Sequence, residues 1–389
     1  MKRSIAFIFI TVFVDMLGYS MILPLLPFFI QAQGGNAAMA GGLQSVYAFI
    51  QLFSGPVLGS FSDRYGRKPI LILCLFGTAV AYTIFGLADS ILLLFLAVLL
   101  DGLTGNNLTT SFTYVADVTE TDERSRGMGI VSAAFGLGLM AGPVLGGLLS
   151  SYGLSLPAFV AAGIALANTV YGIFILPESL PPEKRSRHKP SLNFIRQLQT
   201  VFKIQNIRFL LLSLFFLNLA FSGLQTNFPL FSNARFHWDA RQNGLFFAFV
   251  GVIAVFVQGY LYGRLQPRFG EKRLAVAGLL LMAAGMAGVA LASEAWMVYP
   301  IVGITALGSG MSIPSLSGMT SNRVTLNEQG RLMGGNQTLL SFTSIIGPVM
   351  AGLAFDYLGI GAPYWIGSGL ALLALFFAWR ELLRAQATS

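Results

Sequence analysis

The chain has 389 residues, 55% of them hydrophobic and only 10% charged, with a mean hydropathy of +0.71 and a formal net charge of +8. A soluble domain carries about a quarter charged residues, so this composition excludes one and points to an all-α integral membrane protein. At roughly 20 apolar residues per crossing plus a connection, the length accommodates about twelve transmembrane helices.

The expected spans are 5–30, 41–62, 70–88, 91–116, 128–149 and 157–176, then 208–232, 240–262, 274–292, 296–320, 332–355 and 362–383. They read as two six-helix bundles, 1–176 and 208–389, joined by a cytoplasmic linker at 177–207 that opens on the Pro-rich, charged run Pro177–Pro190. With spans so drawn, all of the 24 Lys and Arg except Arg235 and Arg241 fall on one side. That is the positive-inside bias with both termini cytoplasmic, in an inner (plasma) membrane. The basic balance is therefore topology, aided by anionic membrane lipids, and not a nucleic-acid footprint. Lys2 and Arg3 precede an apolar run too long for a cleavable leader, so the first span is expected to be retained. A lone cysteine, Cys74, excludes an intrachain disulfide and a cysteine metal cluster, and both histidines, His188 and His237, fall in loops. No metal and no cofactor are called for.

Span 1 places Asp15 about 11 residues from its cytoplasmic end, roughly 16 Å deep at 1.5 Å per residue, near the middle of a ~30 Å core. Asp101 reaches similar depth in span 4, which runs the other way. A carboxylate at mid-membrane costs at least ~2.5 kcal/mol, and no Lys, Arg or His lies deep in any span. Such acids face a polar cavity and exchange protons there, or else are neutral packing groups hydrogen-bonded between helices. Asn106 and Asn107 continue the polar run of span 4.

Between spans 2 and 3 lies Gly59-Ser-Phe-Ser-Asp63-Arg64-Tyr-Gly66-Arg67-Lys68-Pro69. Gly66 permits a positive-φ corner, Pro69 suits the first turn of the next helix, and the cations hold the turn on one side of the bilayer. Asp63 is expected to be paired and to meet a helix N-terminus. Asp117 closes span 4 at the same face, either joining Asp63, Arg64 and Arg67 in an ion-pair cluster or standing as a solvated helix-end charge. Span 5 carries Gly138, Gly142, Pro143, Gly146 and Gly147, small residues that let helices touch around a proline kink.

The second half has no carboxylate deep within its spans; Glu381 stands near the end of the last one. The uncharged polar groups of these spans include Asn218, Gln225 and Asn227 in span 7 and Asn336 in span 11. The halves are repeats. A shift of 204 lays Gly59, Asp63, Arg64, Gly66 and Lys68 on Gly263, Pro267, Arg268, Gly270 and Lys272. A shift of 205 lays Gly142-Pro143 on Gly347-Pro348.

The loop resembles the signature between helices 2 and 3 of the major facilitator superfamily. Asp15, Gly18, Pro24 and Pro27 form a pattern similar to that of twelve-helix drug/proton antiporters, tetracycline efflux proteins among them, and the 138–147 run is similar to the antiporter motif of span 5. The resemblance implies a proton-coupled antiporter that exports a lipophilic or amphipathic small molecule by alternating access, as a monomer, with its substrate site at mid-membrane between the halves. It implies that Asp15 takes part in proton coupling or substrate binding, that the 59–68 loop with Asp63 gates by capping span 11, and that the span-5 glycines form a hinge. One departure concerns the Arg that this branch carries four residues before the Gly of a G-x-T-G segment. Here Gly102-Leu-Thr104-Gly105 is present and the Arg position is Val98, so Asp101 would act unpaired. The alternative within the same fold is a lipid exporter or a sugar or metabolite transporter. Absence of a deep cation argues against dicarboxylates and organophosphates. No nucleophile–His pair or phosphate loop lies in a span, so an enzyme is not expected.

Overall fold

The computed structural model describes residues 2–105, 107–186, 194–204 and 207–387. They are 89% helical, with no strand among them. The α-helices are α1 (Lys2–Ile22), α2 (Leu26–Ala32), α3 (Ala37–Tyr65), α4 (Arg67–Leu87), α5 (Ile91–Thr104), α6 (Asn107–Val118), α7 (Thr121–Ser150), α8 (Leu156–Ile175), α9 (Phe194–Phe202), α10 (Arg208–Phe236), α11 (Ala240–Phe256), α12 (Tyr262–Leu291), α13 (Val298–Ser321), α14 (Leu326–Leu358) and α15 (Ala362–Ala387).

Helix boundaries follow local chemistry. Pro24 and Pro27 remove two backbone donors, and the first span passes through a 3₁₀ turn at Leu23–Leu25 between α1 and α2. Gly66, at φ 113° and ψ 158°, separates α3 from α4, a corner that a side chain would oppose. Its repeat partner Gly270, at φ 73° and ψ 158°, interrupts α12 in the same way. Between α11 and α12 the helix loosens into a π turn at Val257–Leu261.

Ten segments are long and apolar enough to cross a membrane, one of them the 52 residues Ala240–Leu291. The chain is thus a multi-pass membrane protein. Helix α3 is not among the ten; Gln44, Gln51 and a series of serines lower its hydropathy.

Contacts divide the chain into two compact units. The first comprises Met1–Gly35, Val46–Leu192 and Asp239–Ala248; the second comprises Asn36–Ser45, Asn193–Trp238 and Phe249–Ser389. The core of the first joins Phe7, Ile8 and Val12 of α1 to Leu71 of α4, Tyr114 and Val115 of α6 and Val131 of α7. In the second, Leu210, Leu214 and Leu217 of α10 meet Leu279, Met282 and Met286 of α12, Leu316 of α13 and Ala371 of α15.

Residues 177–207, read from sequence as linker, contain α9. Its Val201 is buried with Ile207, Leu211, Leu332 and Leu339, and Leu198 and Phe202 pack beside it. Thr338 donates from α14 to the Gln197 side chain at 2.9 Å, and the Arg331 guanidinium donates to the Thr200 carbonyl at 3.2 Å. A nine-residue helix is marginal alone; burial of this apolar edge is what holds it.

Candidate functional site

Asp15 of α1 and Asp101 of α5 are both buried, 6% and 8% exposed. The Asn107 amide donates to Asp15 Oδ1 at 3.0 Å, which uses one of the four or so acceptor sites of a carboxylate. Asp101 lies beside the hydroxyls of Thr78 and Tyr47, and is close enough to Asp15 for the two charges to interact. Its Oδ1, the Asn107 Oδ1 and the Ser111 hydroxyl have no hydrogen-bond partner among the described residues. Tyr47 stacks on Tyr19 with ring centroids 5.6 Å apart and accepts from the Gln51 amide at 2.8 Å. Tyr82 lies close enough to both acids to feel their charge, and Tyr19 close enough to feel that of Asp101. Five helices, α1, α3, α4, α5 and α6, thus bring together two carboxyls, a carboxamide and several hydroxyls. Asn106 lies outside the described residues.

The other first-unit cluster surrounds the Gly66 corner. Arg67 is buried. Its guanidinium pairs with Asp63 and, at 3.0 Å, with Asp117, and also donates to the Ser62 hydroxyl at 3.2 Å. Arg64 does not join them: it lies over the Tyr65 ring, 5.3 Å from its centroid. Lys68 reaches the Ile173 carbonyl at 2.9 Å. The start of α4 is met by Glu178, whose carboxylate accepts from the Arg67 and Lys68 backbone N–H groups at 2.8 and 3.3 Å. A carboxylate there satisfies orphan donors and the helix dipole together. The Ser186 N–H also donates to the Asp63 carbonyl at 3.0 Å, so the segment after Glu178 is sewn onto the loop. Gly59 faces open space.

The span-5 glycines press α7 onto α1. A Cβ on Gly138 would stand 2.7 Å from the Phe13 carbonyl, and one on Gly142 would strike the Ser20 hydroxyl and approach the Leu17 carbonyl to 2.7 Å. Gly146 meets the Met21 backbone in the same way, and Ser20 donates to the Gly138 carbonyl at 3.0 Å. Gly147 faces Gly244 of α11, where a Cβ would come within 2.8 Å of its Cα, and Pro143 presents its carbonyl to the same glycine. The second unit repeats this arrangement. Gly347 abuts Ser222 and Leu219 of α10, while Pro348 and Gly352 meet Gly41 and Ala37 of α3.

The second-unit candidates are dispersed. Asn218 donates to the Leu214 carbonyl of its own helix at 2.7 Å. Gln225 is exposed. Asn227 is fully buried, with neither side-chain polar atom hydrogen-bonded among the described residues, and Asn336 is half-buried with its Oδ1 likewise unpartnered.

Sequence reasoning missed Tyr47, Tyr82, Thr78, Gln44, Glu178 and Asp356. Gln44 accepts from the Thr226 hydroxyl at 2.5 Å, and Asp356 accepts from the Ala37 and Ala38 N–H groups at 3.2 and 2.8 Å, capping α3. Only Glu178 and Asp356 carried a visible signal, an acid just beyond or near the end of an apolar run.

The Major Facilitator Superfamily profile matches residues 8–268 and again 259–388. The chain is 32% identical over 399 residues to the class C tetracycline resistance protein of Escherichia coli, covering 100% of both chains. It is also 32% identical over 378 residues to multidrug resistance protein 2 of Bacillus subtilis, covering 95% of this chain and 93% of that one. Among solved structures, the human organic anion transporter MFSD10 superposes with a TM-score of 0.71 at 24% identity, covering 97% of this chain and 99% of that chain. The nucleoside transporter NupG superposes with a TM-score of 0.79 at 12% identity, covering 98% and 99%. These structures share the fold. With profile matches along nearly its whole length and full-length relatives above 30% identity, the chain belongs to the major facilitator superfamily of membrane transporters.

Proposed function

We propose that the protein is a proton-coupled antiporter that exports a lipophilic or amphipathic small molecule across the inner (plasma) membrane, with both termini cytoplasmic. The observation that carries this reading is the buried pair Asp15 and Asp101, set among Asn107, Thr78 and Tyr47 with no basic side chain in that group. An acid in a closed, dry site cannot remain charged without several kcal/mol of penalty. It must take up a proton or meet a cationic substrate before closure, and opening to water on the far side releases either one. Export of tetracycline-like or multidrug-type compounds is supported by the names of the full-length relatives.

The same reading takes the fold as twelve spans in two six-helix bundles, 1–176 and 208–389, working as a monomer. Helix α3 adds a polar eleventh crossing. The 52-residue segment Ala240–Leu291 would extend ~78 Å as one helix, against a ~30 Å core, and its break at Gly270 makes it two. Asn218, Gln225, Asn227 and Asn336 supply uncharged polar contacts to substrate, and the Gly59–Lys68 loop with Asp117 gates. The experiment is substrate-induced proton movement in proteoliposomes, across a panel including tetracycline and lipophilic cations. Translocation of a substrate with no accompanying pH change, at any imposed gradient, would overturn antiport.

A further inference from the structure

Where α12 breaks at Gly270, the second unit contains a cavity of about 660 Å³ that the transport reading does not use. Lys272, Arg273 and Arg323 line it, with the amides of Gln266 and Asn322 and the half-exposed ring of Phe269. Its counterpart in the first unit is the Gly66 corner, built on the same backbone conformation. There the mouth of the corner is filled from within the chain: the Glu178 carboxylate accepts from the first two N–H groups of α4. In the second unit the acid of α15 does something else. Glu381 is buried and its Oε1 accepts from Arg323 at 2.6 Å, while its Oε2 has no partner among the described residues. Glu271, the acid lining the cavity, turns toward Gly318 of α13. A place occupied by a carboxylate in one repeat is, in the other, open space whose rim carries three cations and two amides against the single carboxylate of Glu271.

We propose that this cavity binds a phosphate-ester anion, with the headgroup of an anionic membrane lipid as its source. Arginine and lysine supply the charge, and a guanidinium offers paired donors to phosphate oxygens. Arg323, braced by Glu381, is the rigid member; Lys272 and Arg273 are exposed and close over the headgroup. Phe269 stands where an aromatic ring suits the boundary between headgroup and acyl chain. Basic pockets between membrane helices hold anionic headgroups by this chemistry. The proposal is independent of which substrate is exported.

The test uses the full-length protein in detergent, titrated with phosphatidylglycerol, phosphatidylcholine or inorganic phosphate, with retained lipid read by native mass spectrometry and protection read by thermal unfolding. Phosphatidylglycerol is expected to be retained over phosphatidylcholine. Lys272→Gln and Arg273→Gln should each weaken retention about fivefold, and together about thirtyfold. Arg264→Gln, whose guanidinium lies over the Tyr260 ring outside the cavity, should change nothing. Inorganic phosphate that protects with the same dependence on Lys272 and Arg273, where lipid does not, keeps the phosphate site and assigns it to a free anion. Equal phosphatidylglycerol retention by wild type and the double variant, with no effect of phosphate on either, overturns the proposal.

Discussion

Two acids carry the functional argument, and they were readable from the chain for a simple reason: charge is scarce in an apolar run, so each exception stands out. Their surroundings were not readable. Tyr47, Tyr82 and Thr78 sit in spans where an aromatic or a threonine usually means packing, and only the fold brings them to Asp101. The two acids differ in partners, and this separates their expected phenotypes. Asp15→Asn, which keeps a polar contact for Asn107, should abolish gradient-driven transport while leaving equilibrative exchange, measured as counterflow in proteoliposomes. Asp101→Asn should alter coupling and pH optimum more than expression. If both variants still concentrate substrate at the wild-type rate, the carboxyls are packing groups. At the Gly66 corner, Arg67 balances two carboxylates from a buried position. Arg67→Met strands both, and the expected cost is about 3 kcal/mol, the low end for a broken buried pair because Asp63 is half exposed. Thermal unfolding in detergent measures it, and adding Asp117→Asn should recover part of the loss. Asp63→Asn should insert and fold normally but turn over slowly; near-normal transport would show the loop is only topogenic.

The helix pattern was legible because apolar runs and their punctuation by Gly66, Pro69 and the Pro-rich segment after α8 reflect local chemistry. What the sequence concealed was α9, too short for a periodicity argument and stable only through burial of Val201 against α14 and α10. Val201→Asp should therefore release α9, seen as proteolysis within 187–204, while the remaining helices stay folded. Of the span-5 glycines, Gly138, Gly142 and Gly146 are each in close contact with α1. Gly142→Leu should prevent assembly of α7 on α1 and remove folded protein altogether. Gly129→Ala, on the same helix with open space beside it, should be neutral by size-exclusion profile and transport. The π turn has its own logic. Bonds from i to i+5 place residues five apart on one side, so Val257 can press on Gly310 while the Tyr262 hydroxyl meets Ser315 at 3.3 Å. Deleting Gly259 would restore an α-helix and rotate one contact away by about 100°, with a lower unfolding temperature expected.

At the scale of the whole molecule, the internal repeat gave the sequence its plainest signal, and the structure reproduces it in backbone form at Gly66 and Gly270, and again at Gly147 and Gly352. The compact units nevertheless are not continuous stretches. Residues 239–248 pack with the first, bringing Gly244 to Gly147, and residues 36–45 pack with the second, where Asp356 caps α3 and Ser45 donates to the Ile345 carbonyl. This fixes an order of events during synthesis. The first unit cannot finish packing until about residue 248 has left the ribosome, and the opening turns of α3, made early, must wait for α14, made almost last. A fragment ending at residue 207 should therefore be retained as a protease-sensitive intermediate, with the Gly147 surface uncovered. Supplying 208–389 as a separate chain should convert it to a resistant, transport-competent form.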